Sequence, residues 1–477
     1  MTHNCSRPTV LLVSVRSLDE ALTQSILADS IIGCADVVVA GHESHKDAFG
    51  DVTFVVLPED KLTNMHSALV DAVKKHDPQL IVAPRTLYLE AYCLSEAFSV
   101  PIAFLCRVPV APTASYLDPL WRASSSTLPI GFLNRASFQA VPFAVHNILK
   151  QHAPLVDSFR KLLALPPVTS RLGLLGQVYL KNVPSLCLWS PTLVPVPDLP
   201  SAFEVVGPSL PPFAECSEPT KRFCTEKPNN PPVFLGFGKE TLSDTFRQVI
   251  ETTIEELLVR RKRVLFQPGS SEQFIKSKSI LTSSNFLIVD YEPHRSLFPL
   301  CSCVVHHAGP EISHVAVLSG CPSVPVPMGH EQMFFAHRLV DVGASRTQHR
   351  VQDSNSFSLL HAILDTMRDT TLPLQTAALQ RELQLELEQP RVAAAVLRII
   401  EKGWTVHSLS SSFVDTLRHC KSFLAALCIL LVLSAFVSWG VLHIVSWATA
   451  TLFRTASAAF THLGVNLAIR LKAPGFE

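Results

Sequence analysis

The chain has 477 residues, of which 47% are apolar and 17% are charged. Its 40 Lys and Arg residues balance 40 Asp and Glu residues, which argues against a protein that binds nucleic acid through a basic surface. The 12 cysteines include no C-x-x-C pair, which argues against a zinc site or a disulfide framework. We therefore expect reduced, mostly buried cysteines, no metal and no bound cofactor.

Short β-rich runs alternate with helical patterns in the first part of the chain. A capping box, Ser17-x-x-Glu20, opens the first helical pattern. The β-rich runs are VLLVSV (10–15), DVVVAG (36–41), VTFVVL (52–57), LIVAP (80–84) and PIAFLC (101–106). Alternation of strands and helices predicts an α/β domain over residues 1–207, with a parallel sheet covered on both faces.

A second α/β series follows a segment without periodicity. Residues 208–232 are rich in Pro, Ser and Asn, which is typical of a linker. The next β-rich runs are VFLGFG (233–238), RVLFQPG (263–269), FLIVD (286–290), CSCVVHHAG (301–309) and SVPVP (323–327). We predict a second doubly wound domain over residues 233–405, with ligands at the carboxyl ends of its strands.

The last part of the chain contains a long apolar segment. Residues 422–453 include no Asp, Glu, Lys or Arg, and about 20 apolar residues suffice to span a bilayer. We predict a membrane-spanning segment there, preceded by a juxtamembrane stretch (406–421) and followed by an amphipathic tail (454–477) that lies in the interface or completes a two-helix hairpin. Basic residues flank both ends and leave the orientation open. No signal peptide is evident at the start, so we expect the large N-terminal part to face the cytosol.

Residues 285–345 carry a series of short motifs in a fixed order. They are Pro293-His294, Leu297-Phe298-Pro299, His306-His307-Ala308-Gly309, Gly320-x-Pro322, Pro327, Glu331-Gln332 and Gly343. In order and spacing they resemble the nucleotide-sugar-binding half of the sterol glucosyltransferases and the related macrolide and UDP-glucuronosyl transferases. FLGFGK (234–239) and VPIAFLCRVPVAPTASY (100–116) resemble further segments of that family. The resemblance covers roughly residues 8–400.

The resemblance implies a GT-B fold, in which two Rossmann-like domains face a cleft. It also implies transfer of a hexose, glucose by preference, from a UDP-sugar to a lipid or sterol hydroxyl with inversion. The residues that match the donor-binding motifs are Gly236, Gly238, Pro293, His294, His307, Gly309, Ser313, Glu331 and Gln332.

The donor site also has a physical rationale of its own. A strand that ends in CVVHH leads through a glycine turn into a helix near residue 311, and the first amides of a helix suit a diphosphate. His307 can donate to a phosphate oxygen. Glu331 and Gln332 offer the carboxylate and amide groups that pair with sugar hydroxyls.

The base that would deprotonate the acceptor is predicted in the first domain. The family's GSRGD loop is replaced by SVRSLDE (14–20), where Asp19 aligns after one extra residue. Asp19 is the first candidate and His42, on the next loop, is the second; His45 lies nearby.

Several residues depart from the family motifs. Ala308 replaces a glycine, Pro310 removes an amide donor, and Glu311 places a negative charge where the diphosphate should bind. Lys239 replaces a small serine and can offset Glu311. These departures leave a second reading open, a catalytically degenerate protein of the same fold that serves as a membrane-anchored binding or scaffold module.

Overall fold

The computed structural model describes most of the chain up to residue 404. The described residues are 7–14, 18–120, 127–128, 130–144, 146–168, 183–269, 274–349, 355–389 and 391–404. The predicted membrane segment (422–453), juxtamembrane stretch and amphipathic tail lie outside them. Within these ranges, no helix combines the length and the apolar character that crossing a bilayer requires.

The first sheet has seven parallel strands in the order β3-β2-β1-β4-β5-β6-β7. The strands are β1 Thr9–Ser14, β2 Asp36–Gly41, β3 Thr53–Val56, β4 Leu80–Pro84, β5 Ile102–Cys106, β6 Ser185–Cys187 and β7 Phe203–Val205. The central strands are buried on both faces, as in β4, where all five residues are buried. This explains their continuous apolar sequences, because helices cover both faces of such a sheet.

Helices connect most of these strands. They are α1 Leu18–Ile31, α2 Leu62–His76, α3 Tyr88–Phe98, α4 Gly131–Ala144 and α5 His146–Leu162. Helix α2 illustrates the local logic, because Met65, Leu69 and Val73 are buried along one face while Lys74 and Lys75 occupy its last turn. Asp77 ends the helix in the left-handed conformation.

The second sheet has five parallel strands in the order β10-β9-β8-β11-β12. The strands are β8 Val233–Gly236, β9 Val264–Gln267, β10 Phe286–Ile288, β11 Cys303–His306 and β12 Ser323–Pro325. The helices around it are α6 Glu218–Thr225, α7 Asp244–Val259, α8 Lys278–Leu281, α9 His294–Leu297, α10 Pro310–Leu318, α11 His330–Asp341, α12 Ser356–Arg368 and α13 Leu372–Leu387.

Side chains of the second sheet alternate between two hydrophobic clusters. Val233 and Leu235 pack into one cluster with α7 and α12, whereas Phe234 packs into the other with α10. The two-residue period places successive side chains on opposite faces. Since all strands are parallel, the loops after β8, β9 and β11 meet at one edge, where His306 pairs with Gly236 and Gly236 with Gln267.

The chain divides into two compact units. The second unit contains Leu210–Gln389 together with Trp189–Pro195, and the first contains both the seven-stranded sheet and the last described helix, α14 Arg391–Lys402. Ala395, Val396 and Ile399 of α14 pack with residues of α1 and the first sheet. The structure therefore differs from the predicted division, which assigned residues up to 405 to the second domain; the apolar face of α14 finds its partner in the first.

Candidate functional site

The loop after β11 contains a residue in an unfavourable backbone conformation. Ala308 has φ +57°, in the left-handed region that costs an alanine about 1–2 kcal/mol. Its side chain is fully buried, and its amide donates to Nδ1 of His306 over 3.1 Å. Replacement of the family's glycine by Ala308 predicts a methyl group at a position that favours glycine, and the positive φ confirms this prediction.

The ring of His307 lies between two glycines. A Cβ built on Gly309 would stand 2.7 Å from Nε2 of His307, and one built on Gly238 would stand 3.2 Å from its Cε1. Gly238 also has a positive φ of 59°. Gly238 and Gly309 thus have a steric role, because without a Cβ they let the backbones of two loops approach the imidazole of His307.

The loops after β8 and β9 also touch through their backbones. A Cβ on Gly269, whose φ is +70°, would overlap the carbonyl oxygen of Gly238 at 1.6 Å. Gly236, another predicted donor residue, makes room for the ring of Phe234, which lies 2.4 Å from the position of a Cβ. Glycine at these positions therefore fixes the shape of the edge that holds His307.

Helix α10 begins directly after this loop. Gly309 is its N-cap and Pro310 its first residue, and the amide of Ser313 donates to the carbonyl of Gly309 over 3.0 Å. The amides before Ser313 have no acceptor within the helix, and Pro310 contributes none. The hydroxyl of Ser313 is buried and has no hydrogen-bond partner within the part of the chain that the structure describes. Pro310 therefore leaves this end of the helix with one amide donor fewer than any other residue would provide.

Glu311 lies in the first turn of α10 and is exposed. Partial burial and then the negative charge of Glu311 raise the pKa of the Tyr291 phenol, which places the carboxylate near the loop after β10. The expected acidic group at the helix start is therefore present. Lys239 is exposed on the loop after β8.

Pro293 and His294 stand at the start of the short helix α9. Pro293 is the N-cap of α9, and the ring of His294 stacks on Phe298 with centroids 4.8 Å apart. Nε2 of His294 lies 3.0 Å from Oε1 of Gln267. Burial and then the neighbouring His307 lower the pKa of His294 to about 4, so this imidazole is neutral and shapes the edge of the sheet.

Gln332 is committed to contacts within the protein. Its Oε1 accepts from the amides of Met328 (2.7 Å) and Gly329 (3.0 Å), and its Nε2 donates to Glu240 over 2.6 Å. The side chain therefore joins the start of α11 to the loop after β8. Glu331, its neighbour, lies in the first turn of α11 and is half-buried.

At the carboxyl edge of the first sheet, a histidine lies beside a carboxylate. Nδ1 of His42 lies 3.4 Å from Oε1 of Glu59 and 3.3 Å from the carbonyl of Leu57. His45 is buried, and its ring centroid is 5.7 Å from that of His42. Asp19 belongs to the first turn of α1, but its side chain lies outside the described residues.

The chain resembles known proteins both in sequence and in structure. One sterol 3-beta-glucosyltransferase of Arabidopsis thaliana is 30% identical to this chain, over 39% of this chain and 30% of the Arabidopsis protein. A second sterol 3-beta-glucosyltransferase of the same plant is 26% identical, over 64% of this chain and 48% of the Arabidopsis protein. The chain is similar in sequence to sterol 3-beta-glucosyltransferases. The predicted resemblance is thereby confirmed. The chain spans less than half the length of these curated relatives, and no family model matches it.

Solved glycosyltransferases share the fold of this chain. Glycosyltransferase VinC, solved with DTDP, has a TM-score of 0.59 at 17% identity and covers 83% of this chain and 100% of its own. A UDP-glucosyltransferase from Polygonum tinctorium has a TM-score of 0.62 at 13% identity, over 83% and 99%. The α/β GT-B fold with parallel sheets is therefore confirmed.

Three charged residues with structural contacts carry no periodic signal in the local sequence. Glu240 and Glu59 lie on loops, where no periodic pattern marks them. Glu386, on α13, accepts from the amide of Thr192 (2.9 Å) and its hydroxyl (2.7 Å) and so ties residues 189–195 to the second unit. The position of Glu240 directly after the GFGK motif was the one usable signal. Because a buried amide such as that of Gln332 requires a hydrogen-bond partner, an acidic residue beside a donor loop is a candidate for that partner.

Proposed function

We propose that this protein is a membrane-anchored glycosyltransferase that moves a hexose, preferably glucose, from a UDP-sugar to a lipid or sterol hydroxyl with inversion. The observation that carries the proposal is the imidazole of His307 held between Gly238 and Gly309 at the start of α10. An anion at this position meets helix amides, the positive end of the helix dipole and a ring nitrogen. The names of the sequence relatives support a sterol acceptor.

The proposed reaction is a displacement at the anomeric carbon. The acceptor oxygen forms the new bond to this carbon, the bond to the diphosphate oxygen breaks, and the electron pair leaves with UDP. Donors at the start of α10 stabilise the charge that grows on the leaving diphosphate. The acceptor proton passes to a base of the first unit.

His42 is the base that the described contacts favour. Glu59 lies beside Nδ1 of its ring, so the carboxylate can hold that nitrogen protonated while Nε2 accepts a proton, which is the usual arrangement of a histidine base. Asp19 remains a candidate. A further rival is Asp118, in the loop after β5, because burial raises the pKa of its carboxyl to about 7.

The anchor is the apolar segment 422–453, with the large part of the chain on the cytosolic side. A lipid acceptor stays in the bilayer, so an enzyme tethered there meets it at high local concentration. In alkaline extraction of expressing cells, the full chain should remain with the membrane pellet. Recovery in the supernatant would contradict the anchor.

A second function is favoured by one feature of the same loop. Ala308, Pro310 and Glu311 all weaken an anion site, and Glu311 adds a negative charge at the helix start. A protein with these changes can retain the fold and act as a binding or scaffold module at the membrane.

The test measures donor binding and turnover on the full chain in detergent. We expect UDP-glucose to raise the melting temperature, and His307→Ala to weaken binding about 10- to 100-fold, because a hydrogen bond to a charged group contributes about 1.5–3 kcal/mol. His361→Ala, a change at an exposed histidine of α12, is the matched control and should leave the shift unchanged. UDP release on addition of a sterol supports the enzyme, donor binding without release supports the scaffold, and no binding at millimolar UDP-sugars overturns the donor site.

A further inference from the structure

A buried histidine lies one turn into helix α10. His314 follows Pro310 by four residues, so its side chain leans back over the first turn of the helix. Its imidazole is 1% exposed. Nδ1 of the ring lies 2.6 Å from the carbonyl oxygen of Pro310, and Nε2 lies 3.1 Å from the amide nitrogen of Ser190. Each ring nitrogen therefore has a backbone partner, and both partners belong to the second unit.

These two partners fix the protonation state of the ring. A carbonyl oxygen can only accept a hydrogen bond, so Nδ1 must carry the proton, and a backbone amide can only donate, so Nε2 must be the bare nitrogen. A second proton on Nε2 would face the N–H of Ser190. Burial lowers the pKa of His314 to about 4, although the hydrogen bond to Pro310 opposes this shift. The ring is thus a neutral donor to the carbonyl of Pro310.

The partner on the Nε2 side is itself held in place. The hydroxyl of Ser190 donates to the carboxylate of Glu386 on α13. Nε of Arg338, a buried residue of α11, donates to the carbonyl of Leu193 over 3.0 Å. Side chains of two further helices therefore fix the segment whose amide holds the ring of His314.

The carbonyl of Pro310 belongs to the same peptide unit as the amide of Glu311. That amide is in the first turn of α10, where helix amides point toward an anion. A hydrogen bond that the carbonyl accepts polarises the peptide unit and strengthens its N–H as a donor, by about 10–30% per bond. Pro310 removes one donor from this end of the helix, and the ring of His314 strengthens the next one.

We propose that His314 is a positioning residue of the donor site, which fixes and polarises the peptide between Pro310 and Glu311 so that its amide donates to a phosphate oxygen of the nucleotide. The ring acts through this peptide and does not itself touch the phosphate. This role rests on the proposed function, since it requires an anion at the start of α10. It compensates in part for the amide that Pro310 lacks.

The test compares two amide side chains that each keep one half of the contacts of the ring. In His314→Asn, Nδ2 can take the place of Nδ1 and donate to Pro310, whereas in His314→Gln, Oε1 can take the place of Nε2 and accept from Ser190. Both variants lose the edge-on contact with the ring of Phe335, so a purely structural role predicts similar losses in both. Calorimetry on the full chain in detergent measures the affinity for UDP. We expect this affinity to fall about three- to tenfold in His314→Gln and to stay within about twofold of the unchanged chain in His314→Asn.

A second measurement reads the peptide without a ligand. The dipeptide Pro-Glu occurs twice, at 58–59 and 310–311, so a chain labelled with 13C at the proline carbonyl and 15N at glutamate gives two correlated signals. The signal of 310–311 is the one that vanishes in Glu311→Gln, and its carbonyl shift should move in His314→Gln more than in His314→Asn. Equal UDP affinities in the two variants, or a carbonyl shift that His314→Gln leaves unchanged, would overturn this role alone. Failure of the unchanged chain to bind millimolar UDP would overturn the donor site and this role with it.

Discussion

The carboxyl edges of the two sheets are built in different ways. At the second sheet, the backbone defines the edge, with Gly238 and Gly269 at positive φ and Gly309 in close contact with an imidazole. At the first sheet, side chains define the edge, with His42 beside Glu59 and the buried His45 ring 5.7 Å from that of His42. A phosphate can be held by backbone amides, which every residue except proline supplies, whereas a variable acceptor is met by side chains on loops.

The largest effect should follow from removing the base at the first edge. His42→Ala is expected to lower turnover about 10²- to 10⁴-fold, the usual contribution of a general base. Affinity for UDP-glucose, measured by calorimetry, should not change, because the residue belongs to the first unit. Glu59→Gln should give a smaller loss, about tenfold, because the ring loses its orienting charge but keeps a hydrogen-bond partner.

The same turnover assay tests whether Asp118, rather than His42, is the base. Asp118→Asn keeps an oxygen that can accept from the amide of Leu120, as Asp118 does over 2.9 Å, and removes the proton-accepting group. If His42 is the base, this variant retains turnover. Loss of turnover in Asp118→Asn with full activity in His42→Ala would assign the base to Asp118 and reduce His42 to a structural residue.

A smaller effect is expected when the backbone edge of the second sheet is disturbed. Gly309→Ala places a methyl group 2.7 Å from the present position of Nε2 of His307, so the ring must turn away. Donor affinity should fall about 10- to 100-fold, as in His307→Ala, because the same hydrogen bond is lost. Gly33→Ala is the control, since a Cβ there meets nothing within 4 Å. Unchanged affinity in Gly309→Ala would show that His307 does not contact the donor from this position.

The contrast between the edges also explains which features the sequence predicts. Continuous apolar runs mark β8 and β11 because both faces of these strands are buried. Glycine motifs mark the donor loops because a Cβ at Gly236, Gly238 or Gly309 would lie 3.2 Å or less from a neighbouring side chain. The pairing of Gln332 with Glu240 depends on the start of α11 meeting a loop 92 positions away in the sequence. The packing of α14 on the first unit is equally non-local. Neither is encoded in any local period.

The smallest change concerns the charge at the start of α10. Glu311→Gln removes a negative charge from the helix end that is proposed to bind a diphosphate, while its length and helix propensity are nearly retained. We expect donor affinity to rise about three- to tenfold at low ionic strength, less than for a buried pair, because Glu311 is exposed and salt screens it. The gain should shrink in 0.5 M salt, which calorimetry at two ionic strengths can measure. A lower donor affinity in Glu311→Gln would mean that the carboxylate itself contacts the sugar. Glu311 would then be a specificity determinant at the carboxyl edge of the second sheet.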